Sequence, residues 1–307
     1  MKDKIKNRRP SSTDGNDPSS TDAGTPRDTH YAKLRRAYRD AKAGGGAPTA
    51  KRTDRTRGKP AGPPPPPDRV HLYGLHTVRA ALDNPERVVE RMMVTRNAQA
   101  RLEIDDLEDR GFPVEIVAPG EIDRLLGADA IHQGVMAEAR TLPMRKLSDL
   151  QDKPLILVLD QVTDPHNVGA ILRSAVAFGC GAVITTMRHS PHESGVLAKS
   201  ASGALELIPY IQITNLADGL DELHALGFHT IGLDSEGPAS LETQLSGERI
   251  ALVLGSEGKG LRQKTRDTVK SLARLDMPGA IKSLNVSNAT AIALYAAHRH
   301  LDASSSG

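Results

Sequence analysis

Four near-continuous apolar runs, LILVLD at 155–160, AVITT at 182–186, HTIGLD at 229–234 and IALVLG at 250–255, constrain this chain more than any other feature. A strand with one wet face alternates apolar and polar residues, so runs without alternation have both faces covered. Helix-like segments separate them, VGAILRSAVAFG at 168–179 and LADGLDELHALG at 216–227. The last such segment, NVSNATAIALYAAHRHL at 285–301, repeats Val286, Ala289, Ala293, Leu294 and Ala297 at helical spacing. Buried strands alternating with such helices predict a doubly wound α/β domain over 153–307, whose ligands bind beyond the carboxyl ends of the strands.

Residues 68–140 predict a separate, smaller α/β unit. An opening helix (GLHTVRAALDNP), a strand (RMMVT), a charged helix (AQARLEIDDLEDRG), a strand (PVEIVA), a short helix (PGEIDRLLG) and a closing strand (GVMAEA) follow one another. The acidic run EIDDLED is expected on its solvated face. Polar residues 141–152, TLPMRKLSDLQD, form the linker.

The formal charge of +2 averages two unlike parts. Residues 1–67, ending in five prolines, carry 16 Lys and Arg against 7 Asp, a net +9; the other 240 residues carry 24 against 31, a net −7. A basic, Pro/Gly/Ser-rich arm without apolar periodicity is expected to be disordered and to hold nucleic acid or another acidic surface. No apolar run approaches the roughly 20 residues of a spanning helix, and the start lacks an apolar signal core, so neither membrane nor export is expected. A lone cysteine, Cys180, precludes an internal disulfide and fits a reducing cytoplasm; it is expected to be a small core residue. The histidines show no zinc spacing, so no metal is expected. Only six aromatic residues lie beyond the arm, too few for a module that stacks bases on rings. Ribose and phosphate are then the expected handles on any RNA.

Three segments carry chemistry. In LDQVTDPHNVGAILRSA (159–175) a strand ends at Asp160, a loop follows, and a helix starts near Asn167, which suits an N-cap. Arg173, two turns into an apolar helix, calls for an anionic partner if buried, structural or functional. His166 is more simply a structural neighbour than a base. In IALVLGSEGKGL (250–261) a strand enters a turn with Gly255, Gly258 and Gly260. The turn matches neither the Walker nor the dinucleotide spacing, and Glu257 would repel a phosphate, so an adenosine-like or cationic ligand fits better. In LDMPGAIKSLNVSNATA (275–291) Ser283 and Asn285 precede the last helix as capping residues.

In this order the three segments resemble the motifs DPHNxGAxLRSA, GxEGxGL and PMxGxxxSLNVSxAxA of the SpoU (TrmH-type) branch of the SPOUT RNA methyltransferases. The resemblance covers residues 70–303 and departs at Asp276, where the family usually has proline. YGLHTV at 73–78 and IHQGV at 131–135 are similar to the L30e-like substrate-binding domain of the bacterial enzymes that methylate a 23S ribosomal RNA guanosine on its ribose.

The resemblance implies a trefoil-knotted, parallel-sheet catalytic domain, a homodimer, and S-adenosylmethionine as cofactor, held by Gly232, Gly255, Leu275, Met277, Leu284 and Asn285. It implies 2'-O-methylation of a guanosine in 23S ribosomal RNA, free or in a precursor particle, with Asn167, Arg173, Glu257, Ser283 and Asn285 as catalytic residues. A guanidinium keeps its proton, so Arg173 is expected to clamp the target phosphate rather than act as base. Two alternatives stay open: a transfer RNA substrate, and a non-catalytic RNA-binding assembly protein.

Overall fold

The computed structural model describes residues 62–104 and 110–305. The expectations for residues 1–61, most of the basic arm, and for 105–109, the centre of the acidic run, lie outside them.

The first sheet is built from β1 (Arg69–Tyr73), β2 (Val89–Val94), β3 (Val114–Ile116) and β4 (Val135–Arg140), in the order β1-β4-β2-β3. β4 is antiparallel to both neighbours, and β2 is parallel to β3. α1 (Leu75–Asp83), α2 (Arg96–Leu102) and α3 (Pro119–Leu126) connect the strands. β1 is absent from the sequence-based reading: RVHLY alternates half-buried and buried residues over only five positions. The charged helix expected from Ala98 onward begins two residues earlier and stops at Leu102, because Glu103 turns into the left-handed region at φ +51°.

The second sheet holds β5 (Leu155–Asp160), β6 (Val183–Thr186), β7 (Tyr210–Ile213), β8 (His229–Leu233), β9 (Ala239–Ser240), β10 (Ile250–Gly255) and β11 (Ser271–Arg274). All are parallel, in the order β7-β6-β5-β10-β8-β11-β9. The four apolar runs are β5, β6, β8 and β10, and every residue of β5 is buried. α4 (Pro165–Ala177), α5 (Gly195–Ala201), α6 (Leu216–Ala225), α7 (Leu241–Gln244), α8 (Gln263–Thr268) and α9 (Val286–Ser305) complete the connections and cover the faces. One buried apolar cluster includes Leu155, Leu157 and Leu159 with α4, α5 and α9; a second includes Ile156 and Val158 with α6. That division follows the alternation of side chains across a strand. Among the described residues no helix is long and apolar enough to cross a membrane.

The two sheets are joined by more than the linker. The first cluster continues from Val70, Leu72 and Val78 into Leu197, Ala198 and Ala201 of α5. At one end of this seam the fully buried guanidinium of Arg87 forms a two-pronged pair with Glu206, at 3.0 and 2.6 Å, and donates to Glu193 at 2.6 Å and to the Arg140 carbonyl at 2.6 Å. Burial acts to lower its pKa, but the hydrogen bonds and charges of Glu206 and Glu193 outweigh it and hold the pKa above the ordinary arginine value. Nothing local in the sequence marks Arg87, because its carboxylate partners lie more than a hundred residues away.

Candidate active site

β5 ends at Asp160 and β10 at Gly255, and these two residues are register partners. Strand order reverses here: β6 and β7 lie beyond β5, while β8, β11 and β9 lie beyond β10. Connections leaving in opposite directions open a crevice at the carboxyl ends. The first and second motifs leave from these neighbouring strand ends, which is why segments far apart in sequence meet.

Asp160 anchors the crevice. Its carboxylate is fully buried and accepts from the Arg262 backbone N–H at 3.0 Å, Arg262 Nε at 2.7 Å and Thr265 Oγ1 at 2.7 Å. These donors offset the desolvation of the charge and tie the far side of the glycine-rich turn to β5. In between, the turn closes on itself, with the Gly260 N–H donating to the Ser256 carbonyl at 2.9 Å. A Cβ on Gly255 would lie 2.0 Å from the carbonyl carbon of Gly260, so only glycine permits this crossing. Gly258 and Gly260 hold φ of +83° and +65°.

Asn285 draws the three motifs together. Its Oδ1 accepts from the Ser287 N–H at 2.9 Å and its carbonyl from the Asn288 and Ala289 N–H groups, so it caps α9. Its Nδ2 donates to Asn167 Oδ1 at 3.1 Å and, at 3.5 Å, to Glu257 Oε2. One amide thus touches the first motif, the second and the helix that follows the third.

Two expectations for the first motif are corrected. Asp164, not Asn167, caps α4, accepting from the His166 N–H at 3.0 Å with Pro165 in the first helical position; Asn167 is freed to meet Asn285. Arg173 is exposed and has no ion-pair partner among the described residues. α4 buries Val168, Ile171, Leu172 and Ala175, a stripe that leaves position 173 outside. Six residues on from Asn167, it points about 240° round the helix and does not join the Asn285 cluster within this chain. His166 bonds Ser200 Oγ through Nδ1 at 3.0 Å.

Beside the cluster lies a cavity of about 230 Å³. Gly255, Glu257, Leu275, Met277, Ser283 and Leu284 line it, as do Leu233 at the end of β8, Asp234 and Ser235 just beyond it, Lys282, and Val286 and Ala289 of α9. Gly232 does not: a Cβ there would meet Leu261, Leu272 and Val269 in the core on the other side of the sheet. Asn285 stands beside the cavity without lining it. Lys282 Nζ donates to the Met277 carbonyl at 2.8 Å and closes the loop between them. Asp276, where proline was expected, accepts from Arg274 Nε at 2.9 Å. Sequence reasoning missed Asp234, which Arg266 holds by an ion pair, although an acid ending the apolar run HTIGLD was a usable signal.

Apolar side chains, close-packed glycine backbone and the Glu257 carboxylate fit a cationic group carrying an apolar or adenosine-like body, while the Asp234 carboxylate in the lining is already paired with Arg266. Cys180, by contrast, is buried in the core, and desolvation pushes its thiol pKa up to about 12.

The fold and this three-segment site define a SpoU-type protein. A sequence model of the SpoU rRNA methylase family matches residues 154–295, and one for RNA 2'-O ribose methyltransferase substrate binding matches residues 71–144. The chain belongs to the SpoU rRNA methylase family. It is 38% identical over 238 residues to the 23S rRNA (guanosine-2'-O-)-methyltransferase RlmB of Pasteurella multocida (strain Pm70), covering 73% of this chain and 96% of that protein. Its fold is similar to that of the SpoU methyltransferase AviRb from Streptomyces viridochromogenes, with a TM-score of 0.65 at 21% identity over 77% of this chain and 91% of that one. An AdoMet-bound rRNA methyltransferase from Sinorhizobium meliloti gives 0.61 at 25% identity, over 76% and 88%.

Proposed function

We propose that this protein transfers a methyl group from S-adenosylmethionine to the ribose 2'-oxygen of a guanosine in 23S ribosomal RNA, in the cytoplasm and as a homodimer. The observation that carries the reading is the Asn285 amide spanning Asn167 and Glu257 beside the glycine-backed cavity. When bound, S-adenosylmethionine supplies a sulfonium methyl with its own leaving group. Gly255, Leu275, Met277 and Leu284 would hold it, with Glu257 complementing its positive charge; Gly232 would contribute only from behind the sheet.

The chain's own task is alignment. Transfer is fastest when the ribose oxygen is held in line and its proton can leave. Asn285 fixes the relative positions of the first and second motifs, and Ser283 presents a hydroxyl to the cavity. Arg173, with no acidic partner among the described residues, is available to grip the phosphate beside the target ribose. Because it faces away from its own Asn285 cluster, the homodimer gives this arginine a role across the subunit interface. Exposed Ile292 and Tyr295 on α9 supply apolar surface for such pairing. Light scattering is expected to return twice the 32.9 kDa chain mass.

The test is tritium transfer from labelled S-adenosylmethionine onto 23S fragments, followed by nuclease mapping. One labelled guanosine ribose is expected; label confined to transfer RNA, or none, overturns the assignment. Arg173→Lys keeps the charge and loses the two-pronged grip, so turnover should fall about a hundredfold. Near-normal turnover removes the clamp.

A further inference from the structure

The motifs YGLHTV and IHQGV find their use at the other end of the seam. The Leu75 N–H and Lys199 Nζ both donate to Gln133 Oε1, at 3.2 and 2.7 Å. Both neighbours are donors, so the atom between them is the amide oxygen, and the Gln133 NH₂ faces away. Gln133 is exposed, and no partner for that NH₂ occurs among the described residues. Its backbone is held at φ +57°, an uncommon and costly conformation for a side-chain-bearing residue. The turn that imposes it is braced: His132 accepts from the Gly134 N–H through Nδ1 at 3.1 Å, which leaves Nε2–H to donate to Asp123 at 3.1 Å.

Lys199 comes from α5, beneath the second sheet's face, and lies across Gly74, where a Cβ would sit 2.3 Å from Nζ. Burial holds its pKa below the usual lysine value. Among the described residues it has no carboxylate partner, unlike Arg87. Its neighbour Ser200 bonds His166, which adjoins Asn167, so the helix that carries Lys199 is tied to the start of the first motif.

We propose that Lys199 and Gln133 form an RNA-backbone site at the seam, in which the ammonium takes a phosphate of the substrate strand and the Gln133 amide donates to the same phosphate or the adjoining ribose. A half-desolvated cation with two spare N–H donors suits a phosphate, and a strained residue held by donors from both sheets keeps its own donors fixed toward solvent. The site would hold the strand next to the nucleotide presented at Asn167. This deepens the reading of the chain as an RNA-methylating enzyme and rests on it.

The test uses full-length protein and a fluorescent 23S fragment, with Kd measured by anisotropy between about 50 and 200 mM salt. Lys199→Met should weaken binding about tenfold and make the salt slope shallower by about 0.7 to 1. Lys199→Arg should keep the slope. Gln133→Gly, which relieves the backbone, should weaken binding about threefold with the slope unchanged. Calorimetry with S-adenosylmethionine should give the wild-type affinity for each. If Lys199→Met loses cofactor binding and so reports only misfolding, Lys199→Gln takes its place under the same criterion. Wild-type Kd and slope in the charge-removing variant overturn the site. Tritium transfer by the wild type separates the two ideas: transfer with an unchanged slope ends the site and spares the reaction, whereas a changed slope without transfer does the reverse.

Discussion

Arg87 and Lys199 are two cations at one seam, and they are treated oppositely. Arg87 is sealed, with Glu206 and Glu193 completing its charge and the Arg140 carbonyl taking a further N–H. Lys199 is half open, and its ammonium donates to the neutral Gln133, with no carboxylate partner among the described residues. Both join the first sheet's elements to the second's, yet only one is left with bonding capacity to spare. A paired, buried cation fixes how the parts fit; an unpaired, reachable one in a protein that handles a polyanion is a contact in waiting.

The contrast can be broken most sharply at Arg87. Arg87→Met leaves Glu206 and Glu193 buried without their cation and should cost about 3–5 kcal/mol in denaturant unfolding, whereas Lys199→Met should stay within about 1 kcal/mol of wild type. Adding Glu206→Gln to Arg87→Met should restore part of the loss. Equal destabilisation by the two single changes would mean that the seam has no sealed end.

Gly255→Ala comes next. Its Cβ would collide with backbone, and about 1–3 kcal/mol of strain should appear as a roughly ten- to hundredfold loss of S-adenosylmethionine affinity by calorimetry. Neither seam variant should share that loss. Asn285→Ala should lower stability by about 1 kcal/mol through the lost cap and should reduce turnover beyond what that accounts for; intact turnover would detach the cap from the chemistry. Smallest is Cys180, whose buried, fully protonated thiol should resist alkylation at pH 8 in the native protein and react once unfolded.

Legibility in the sequence followed the range of the interactions. β5, β6, β8 and β10 were readable because burial on both faces writes itself into consecutive residues. β1 and β7 were not, since five and four residues are too few to establish a period. The motif residues were readable individually, and the structure brings Asn167, Glu257 and Asn285 together through contacts that no local pattern contains. For Arg173 the apolar neighbourhood in sequence left burial open, and the helical angle sets its side chain outside the buried stripe. Asn167 was misjudged as a cap although Asp164 and Pro165 already formed the better start signal. Arg87 and Lys199 could not have been separated at all: each is one basic residue among many until its partners across the seam are known.

The double duty of Asn285 has a consequence in time. This residue starts the last helix and also fastens the first two motifs, so neither can be finished without the other. Every strand of both sheets precedes residues 285–305 in the chain, and domains fold as units. Until that segment folds back against β10 and α4, both sheets lack the Asn285 link between the first two motifs and the part of the cavity wall that Val286 and Ala289 supply. The site is therefore completed in one step, when α9 docks, rather than by gradual gain.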